Sequence, residues 1–156
     1  MPLPIDHAGL EVLPFDSCLS LLSAVSVGRV GFVAGGEVLV LPVNFVVDGQ
    51  DVVFRTASGS KLGSAEVGTA VAFEADKYDD ITQSGWSVLV SGRAEVVEDD
   101  EEIGRLGQLG LYSWASAMDR PFWIRIRATS VTGRRTPGST VGEPELAGTF
   151  VLPVRA

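Results

Sequence analysis

The first half of the sequence contains three runs rich in β-branched and aromatic residues, separated by two tight-turn signals. Gly35–Gly36 lies between residues 29–34 and 37–47, and Asp48–Gly49 precedes residues 51–56. Glycine-containing pairs of this kind join adjacent antiparallel strands. The sequence therefore predicts a three-stranded meander, and this local order limits the fold more than any other feature of the chain.

Three more strands are predicted downstream, at residues 69–76, 86–98 and 122–132. In the second of them apolar and polar side chains alternate, which is typical of a strand with one buried face. Gly92 interrupts this strand and permits strong curvature. Because bent strands close small barrels, we expect a mainly β protein with short helices around a small barrel.

A helix is predicted near the N-terminus, where Asp16 or Ser17 can cap a run with apolar side chains at helical spacing. Cys18 belongs to the apolar stripe, which favours a core residue over a catalytic thiol. Gly28 is a natural end for this helix.

Two further short helices are predicted, at residues 60–66 and 99–111, although three glycines weaken the second. Residues 77–85 are polar and predict a loop that covers or borders a pocket.

With 156 residues the chain can bury one core, so we expect a single domain over residues 1–156, with an N-terminal arm (1–14) and a C-terminal tail (134–156). A formal net charge of −8 argues against nonspecific nucleic acid binding. One cysteine and one histidine exclude an internal disulfide and disfavour a metal site or a histidine-based triad. No segment is long and apolar enough for a membrane helix, so we expect a cytoplasmic protein.

The segment that follows the third predicted strand combines cations, hydroxyl groups and a glycine: Arg55, Thr56, Ser58, Gly59, Ser60 and Lys61. Unpaired backbone N–H groups at a helix start attract anions, and the two cations suit phosphate oxygens. Lysine occurs only twice in the chain, whereas arginine occurs ten times, which gives a lysine in this turn added weight. The alternative is an ordinary helix cap flanked by solvated charges.

Two common nucleotide motifs are excluded. The segment lacks the earlier glycine and the hydroxyl after the lysine that the phosphate loop of nucleoside triphosphatases requires. No strand is followed by the glycine pattern of a Rossmann dinucleotide site. The predicted anion site therefore belongs to another architecture.

Two strands carry polar groups that allow more than one interpretation. Pro42 marks a bulge or an edge, and the nearby Asn44 either satisfies a neighbouring backbone group or contacts a ligand. Trp123 shares a strand face with Arg125 and Arg127. That face is either exposed, with the indole stacked on an arginine, or part of a ligand or subunit interface.

The order of elements resembles that of the pyridoxamine 5′-phosphate oxidase-like family of flavin-binding split barrels, over roughly residues 13–135. Five segments carry the resemblance: Gly28-Arg29-Val30-Gly31-Phe32, Pro42-Val43-Asn44-Phe45, Phe54-Arg55-Thr56 with Gly59-Ser60-Lys61-Leu62, Val71-Ala72-Phe73-Glu74-Ala75-Asp76, and Gly85-Trp86-Ser87-Val88-Leu89-Val90-Ser91-Gly92-Arg93-Ala94. The fold that the resemblance implies is a six-stranded antiparallel split β-barrel of the FMN-binding type.

The resemblance also implies a homodimer with the flavin at its interface. The flavin phosphate would be held by Arg55, Thr56, Ser60 and Lys61. The ring would lie against Pro42, Val43 and Asn44. The second subunit would approach the cofactor with Trp86 and Ser87. Trp123 and Arg125 are weaker candidates for the substrate side.

The function that the resemblance implies is an FMN-dependent oxidoreductase that passes a hydride through the flavin to a small-molecule acceptor. The chain has few groups of its own for covalent or acid–base catalysis, which agrees with this function. Alternatives are a reductase of the same fold that uses the deazaflavin F420, a flavin- or haem-binding module without turnover, and a barrel that has lost its ligand. Oxidation of pyridoxamine phosphate itself is disfavoured, since no second phosphate-binding cluster stands out beyond Arg125 and Arg127.

Overall fold

The computed structural model of the chain describes residues 1–57, 62, 68–112 and 121–139. Within these ranges the chain forms seven strands and two helices. In chain order they are β1 (Glu11–Leu13), α1 (Phe15–Ser23), β2 (Val27–Ala34), β3 (Glu37–Asp48), β4 (Asp51–Thr56), β5 (Thr69–Asp79), β6 (Ser84–Val97), α2 (Asp100–Leu106) and β7 (Phe122–Arg135). None of the described helices is long and apolar enough to cross a membrane.

Six of the strands close into an antiparallel barrel. Their order around the wall is β7-β4-β3-β2-β5-β6, and β6 pairs back onto β7 to complete the ring. The β6–β7 ladder shifts register between Ser91 and Gly92, where a Cβ on Gly92 would collide with the backbone of Arg127. The predicted six-stranded antiparallel barrel is confirmed, and a register shift lies at Gly92, where the sequence predicts that strong curvature is permitted.

The barrel interior is filled by the inward-facing side chains of the strands and capped by α1. Its largest fully buried members are Phe54, Phe73, Leu22, Ile124, Ile126, Val30, Val52, Val88 and Val90. Cys18 is completely buried in this core, as the sequence predicts, and burial raises the pKa of its thiol.

A second, smaller core lies outside the barrel wall, beneath α2. It consists of Val53, Val97, Leu106 and Trp123. The Asp99 side chain caps α2 by accepting a hydrogen bond from the Glu102 amide, at 2.9 Å. The predicted acidic helix is therefore confirmed at its start. It ends at Leu106 rather than at residue 111, because the glycines that follow are poor helix formers.

The N-terminal region departs from its predicted boundaries. Helix α1 begins after Pro14 with no side-chain cap, and it ends at Ser23, so the predicted caps and the predicted end at Gly28 are wrong. Gly28 instead lies within β2, where any Cβ would clash with the ring of Phe73. The arm contains a strand that the sequence did not predict, since β1 pairs with the C-terminal end of β7.

Pro42 lies at an open edge, one of the two predicted alternatives. The Phe45 amide donates to the Ser26 carbonyl across the β2–β3 ladder, at 3.2 Å. Since amide directions alternate along a strand, position 42 faces away from β2. The β3–β4 ladder begins only at Phe45, so the missing N–H of Pro42 leaves no ladder bond unmade among the described residues.

The polar segment at residues 77–85 is mostly strand rather than loop. β5 continues to Asp79 and β6 begins at Ser84, so the two strands form one long hairpin. The predicted helix at residues 60–66 falls almost entirely outside the described residues, as does the tail beyond residue 139.

Candidate functional site

The end of β4 brings Arg55 and Thr56 to the edge of the barrel wall. β4 pairs with β7 as far as Thr56–Phe122, whereas its ladder with β3 ends at Phe45–Phe54. Arg55 is therefore the first residue of β4 beyond its contact with β3. Thr56 is buried, and Arg55 is half-buried. Ser60 and Lys61, the other predicted phosphate contacts, lie outside the described residues.

The Arg55 side chain stacks on the indole of Trp123. These residues are directly opposite in the β4–β7 ladder, and the guanidinium carbon lies 5.3 Å from the ring centroid. Trp123 is only 5 % exposed, because it belongs to the small core beneath α2. The predicted stacking on an arginine is therefore present, but it is buried and involves an arginine from the neighbouring strand.

The predicted ring contacts on β3 lie beside the same edge. Asn44 is the first β3 residue beyond the ladder with β4, as Arg55 is on β4. Its side-chain amide donates to the Ser26 carbonyl at 3.5 Å, so one of the two predicted roles, a backbone contact, is present. Pro42 is exposed on the outer surface, whereas Val43 points into the core.

Trp86 and Ser87 lie at the start of β6, where they line a cavity of about 320 Å³. Ser87 faces outward, and Trp86 is buried. No residue of the described chain accepts a hydrogen bond from the Trp86 indole nitrogen. The cavity wall also includes Lys77 and Tyr78, from the segment predicted to border a pocket, and Arg134, Arg135 and Thr136, which the sequence analysis did not assign to a site.

The two predicted halves of the site are on different parts of the barrel. The path from Arg55 through β3, β2 and β5 to Ser87 crosses four strand spacings, or about 19 Å around the wall. The path through β7 crosses only two spacings, but it also runs along β7 from Trp123 to Arg134, or about 36 Å. Arg55 and Ser87 both lie on the outer surface of this convex wall. The structure thus brings Arg55 and Thr56 near Asn44 but leaves Ser87 remote from them within one chain.

Arg125 lies in a buried ion cluster rather than at an open surface. Its guanidinium donates to the carboxylates of Asp48, Glu102 and Asp51 at 2.6, 2.7 and 3.1 Å. Burial alone would lower the pKa of Arg125, but these hydrogen bonds outweigh it and the pKa is raised. Arg105 donates two further hydrogen bonds to Asp48, at 2.8 and 2.9 Å. These contacts join α2 to the β3–β4 turn.

The partners of Arg125 are the residues that sequence reasoning missed. Asp48 and Asp51 flank the predicted β3–β4 turn, and Glu102 lies in the predicted acidic helix. Each was interpretable locally as a turn or helix-start residue. Their convergence on one arginine depends on how α2 packs across the wall, which no local pattern encodes.

Most of the chain matches the model of a known protein family. The family described as pyridoxamine 5′-phosphate oxidase matches residues 15–135. The chain therefore belongs to the pyridoxamine 5′-phosphate oxidase family, as the five sequence segments predict. An uncharacterized protein of Mycobacterium tuberculosis is 39 % identical over 127 residues, which are 77 % of this chain and 81 % of the relative.

Two solved structures share both the fold and more than a third of the sequence. The FAD binding protein of Mycobacterium smegmatis is 36 % identical, with a TM-score of 0.68 over 80 % of this chain and 96 % of the other. A protein of unknown function from Corynebacterium diphtheriae is 37 % identical, with the same TM-score and the same coverage. Both similarities span nearly all of the other chain.

Proposed function

We propose that the protein is a homodimeric flavoprotein that binds FMN at the Arg55 edge of the barrel and transfers a hydride between the flavin and a small-molecule acceptor. Membership of the pyridoxamine 5′-phosphate oxidase family supports flavin binding, as does the similarity to the FAD binding protein of Mycobacterium smegmatis. The observation that carries the proposal is the position of Arg55 and Thr56 at the point where β3 and β4 part.

The residues at this edge have the chemistry that a flavin phosphate needs. The Arg55 guanidinium and the Thr56 hydroxyl can donate to phosphate oxygens, and Ser60 and Lys61 follow within five residues. The overall charge of the chain is −8, so a local pair of cations creates a distinct anion site. Pro42 and Asn44, on the neighbouring strand, would contact the ring.

The second half of the site is proposed to come from a second copy of the chain. Ser87 is about 19 Å from Arg55 around a convex wall, so a second copy is the simplest way for both to contact one flavin. The outer face of β2 and β3 between them exposes apolar side chains, with Val38 78 % and Val40 63 % exposed. Contiguous exposed apolar surface is typical of a subunit interface.

Trp86 lies beside Ser87 in the wall of the cavity at the start of β6, where the second subunit would approach the cofactor. Neighbouring Ser87 is exposed and has its hydroxyl available to a ligand held across the interface. Trp86 and Ser87 are therefore proposed as the contribution of the opposite subunit to the cofactor site.

The bound flavin would supply the redox chemistry, namely the capacity to accept and release a hydride. The protein side chains at the proposed site are a guanidinium, an ammonium, hydroxyls, an amide and aromatic rings. These groups bind, orient and shield the reacting partners, but they exchange protons poorly at neutral pH. We therefore assign them positioning and electrostatic roles.

The test is to identify the ligand of the purified protein and then to assay its redox behaviour. An absorption spectrum with the visible bands of a flavin is expected, and mass spectrometry of the released ligand should give FMN. The bound flavin should be reduced by NADH or NADPH and reoxidised by oxygen or a dye. A protein with no affinity for FMN, FAD or F420 would refute the proposal.

FAD is the second candidate, favoured by the name of the Mycobacterium smegmatis relative. Mass spectrometry separates the two directly, since FAD carries an additional adenylate. Recovery of F420 would instead support a deazaflavin reductase. A flavin that no reductant reduces, or a bound haem, would support a binding module without turnover.

A further inference from the structure

We propose that Trp123 is a positioning residue that holds Arg55 ready to bind the flavin phosphate, so that Trp123 contributes to the selection of FMN over unphosphorylated riboflavin. This inference rests on the proposed function and deepens it. It also assigns Trp123 a role different from that of a substrate contact.

The first observation is the geometry of the pair. Arg55 and Trp123 are direct cross-strand partners, and the guanidinium lies over the indole at 5.3 Å from its centroid. A guanidinium stacked on an aromatic face retains N–H donors along its edge, and this edge suits a phosphate. Stacking therefore restrains the side chain while leaving it competent to bind an anion.

The second observation is that the indole is itself fixed from behind. Trp123 packs against Val53, Val97 and Leu106 in the core beneath α2. Helix α2 is in turn joined to the barrel through two ion pairs, Glu102–Arg125 at 2.7 Å and Arg105–Asp48 at 2.8 Å. The Trp123 indole that stacks on Arg55 is thus held by a packed core, and that core is covered by a helix that two ion pairs fix to the barrel.

The physical consequence is preorganisation. A free arginine side chain loses rotamer entropy when it binds a phosphate, whereas one already restrained by stacking loses less. This smaller entropy loss strengthens the binding only of ligands that contact the guanidinium. Removing the aromatic face should therefore weaken binding of a phosphorylated flavin and leave riboflavin binding nearly unchanged.

The experiment compares FMN and riboflavin affinity for the full-length protein, after removal of bound flavin, by fluorescence quenching. Trp123→Leu is expected to weaken FMN binding about five- to thirty-fold, the range of a partly desolvated cation–π contact, and to change riboflavin binding less than about two-fold. Trp123→Phe keeps an aromatic face and should retain most of the FMN affinity.

Two controls separate positioning from simple destabilisation. Leu22→Ala destabilises the main core inside the barrel and leaves the small core that holds the indole intact, so it should not alter the ratio of FMN to riboflavin affinity. Arg55→Ala should reduce that ratio, and adding Trp123→Leu to it should reduce the ratio little further, since the two residues act through one contact. Should Trp123→Leu fail to fold, Trp123→Met with the same double-variant comparison replaces it.

The outcomes are distinguishable. If the wild-type protein binds FMN but Trp123→Leu weakens FMN and riboflavin equally, or weakens neither, the positioning role is wrong and the proposed function stands. If the wild-type protein binds neither flavin, both proposals are wrong.

Discussion

The Arg125 guanidinium donates a 2.6 Å hydrogen bond to the Asp48 carboxylate at the β3–β4 turn, and the same guanidinium binds Glu102 on α2. Arg125 is only 5 % exposed, so this contact replaces water with carboxylates on several sides. It joins the meander that ends at the proposed phosphate site to the helix that covers Trp123.

Arg125→Leu is predicted to destabilise the protein by about 2–3 kcal/mol. Removing one member of a buried ion pair costs about 3–5 kcal/mol, and the carboxylates here retain some solvent contact, which reduces the cost. Urea unfolding followed by tryptophan fluorescence measures the change.

Arg127→Leu is the matched control. Arg127 binds Glu95 at 2.7 Å but is 60 % exposed, so we expect a loss of less than about 1 kcal/mol. Equal losses for the two variants would contradict this account of the cluster.

Asp48 makes stability dependent on acid. Hydrogen bonds from Arg105 first, and then from Arg125, lower the pKa of this carboxyl below its ordinary value of 3.8. A carboxyl whose pKa is lower in the folded state contributes stability that is fully present well above pH 3.8 and is lost as the pH falls through lower values. The free energy of unfolding of Asp48→Asn should therefore fall less steeply than that of wild type below this pH. Parallel pH profiles would show that Asp48 is not the group responsible.

Gly92→Ala is predicted to destabilise the barrel by about 1–3 kcal/mol, because its methyl group would collide with the Arg127 backbone at the β6–β7 register shift. Gly104→Ala is the control. Gly104 lies within α2, where an added methyl group would meet no described residue outside its own helix turn within 4 Å, so we expect a gain of about 0.5–1 kcal/mol. Thermal unfolding of the two variants measures both changes in stability. A Gly92→Ala variant as stable as the wild type would contradict the close backbone approach at this position.

The exposed apolar face of β3 is predicted to be the subunit interface. Val38→Asp and Val40→Asp introduce charge there and should shift the protein from dimer to monomer in sedimentation analysis, with loss of flavin affinity. Ile81→Asp, at a 94 % exposed position in the β5–β6 turn, should leave the dimer intact. A wild-type monomer that retains flavin, or a Val40→Asp dimer that is unchanged, would refute this interface.

The parts of the fold that the sequence predicts are those with a strong local signal. Residues 51–56 form a β-rich run that begins directly after a turn, and β4 has those bounds in the structure. Gly92 marks an irregular position of β6, because only a residue without a side chain allows so close a backbone approach at the register shift. The closed barrel is predicted from the family resemblance, because the pattern of a single strand does not show which other strands it pairs with.

The errors lie where tertiary contacts override local preference. Gly28 resembles a helix end, but its missing side chain accommodates the ring of Phe73, so it lies in a strand. β1 is too short to be recognised from its pattern, and it forms because β7 extends past β4 and offers an edge for pairing. The Arg125 cluster brings together three segments that are far apart in sequence.

Titration of FMN into the flavin-free protein, monitored by fluorescence quenching, tests the central claim most directly. The account predicts saturable binding to the wild type that Arg55→Ala and Lys61→Ala each weaken by about ten-fold or more, on the order of one lost charge-assisted hydrogen bond. Both variants should keep the unfolding midpoint of the wild type within a few degrees. Wild-type protein that fails to bind FMN, or variants that bind it unchanged, would contradict the assignment of this edge as the flavin-phosphate site.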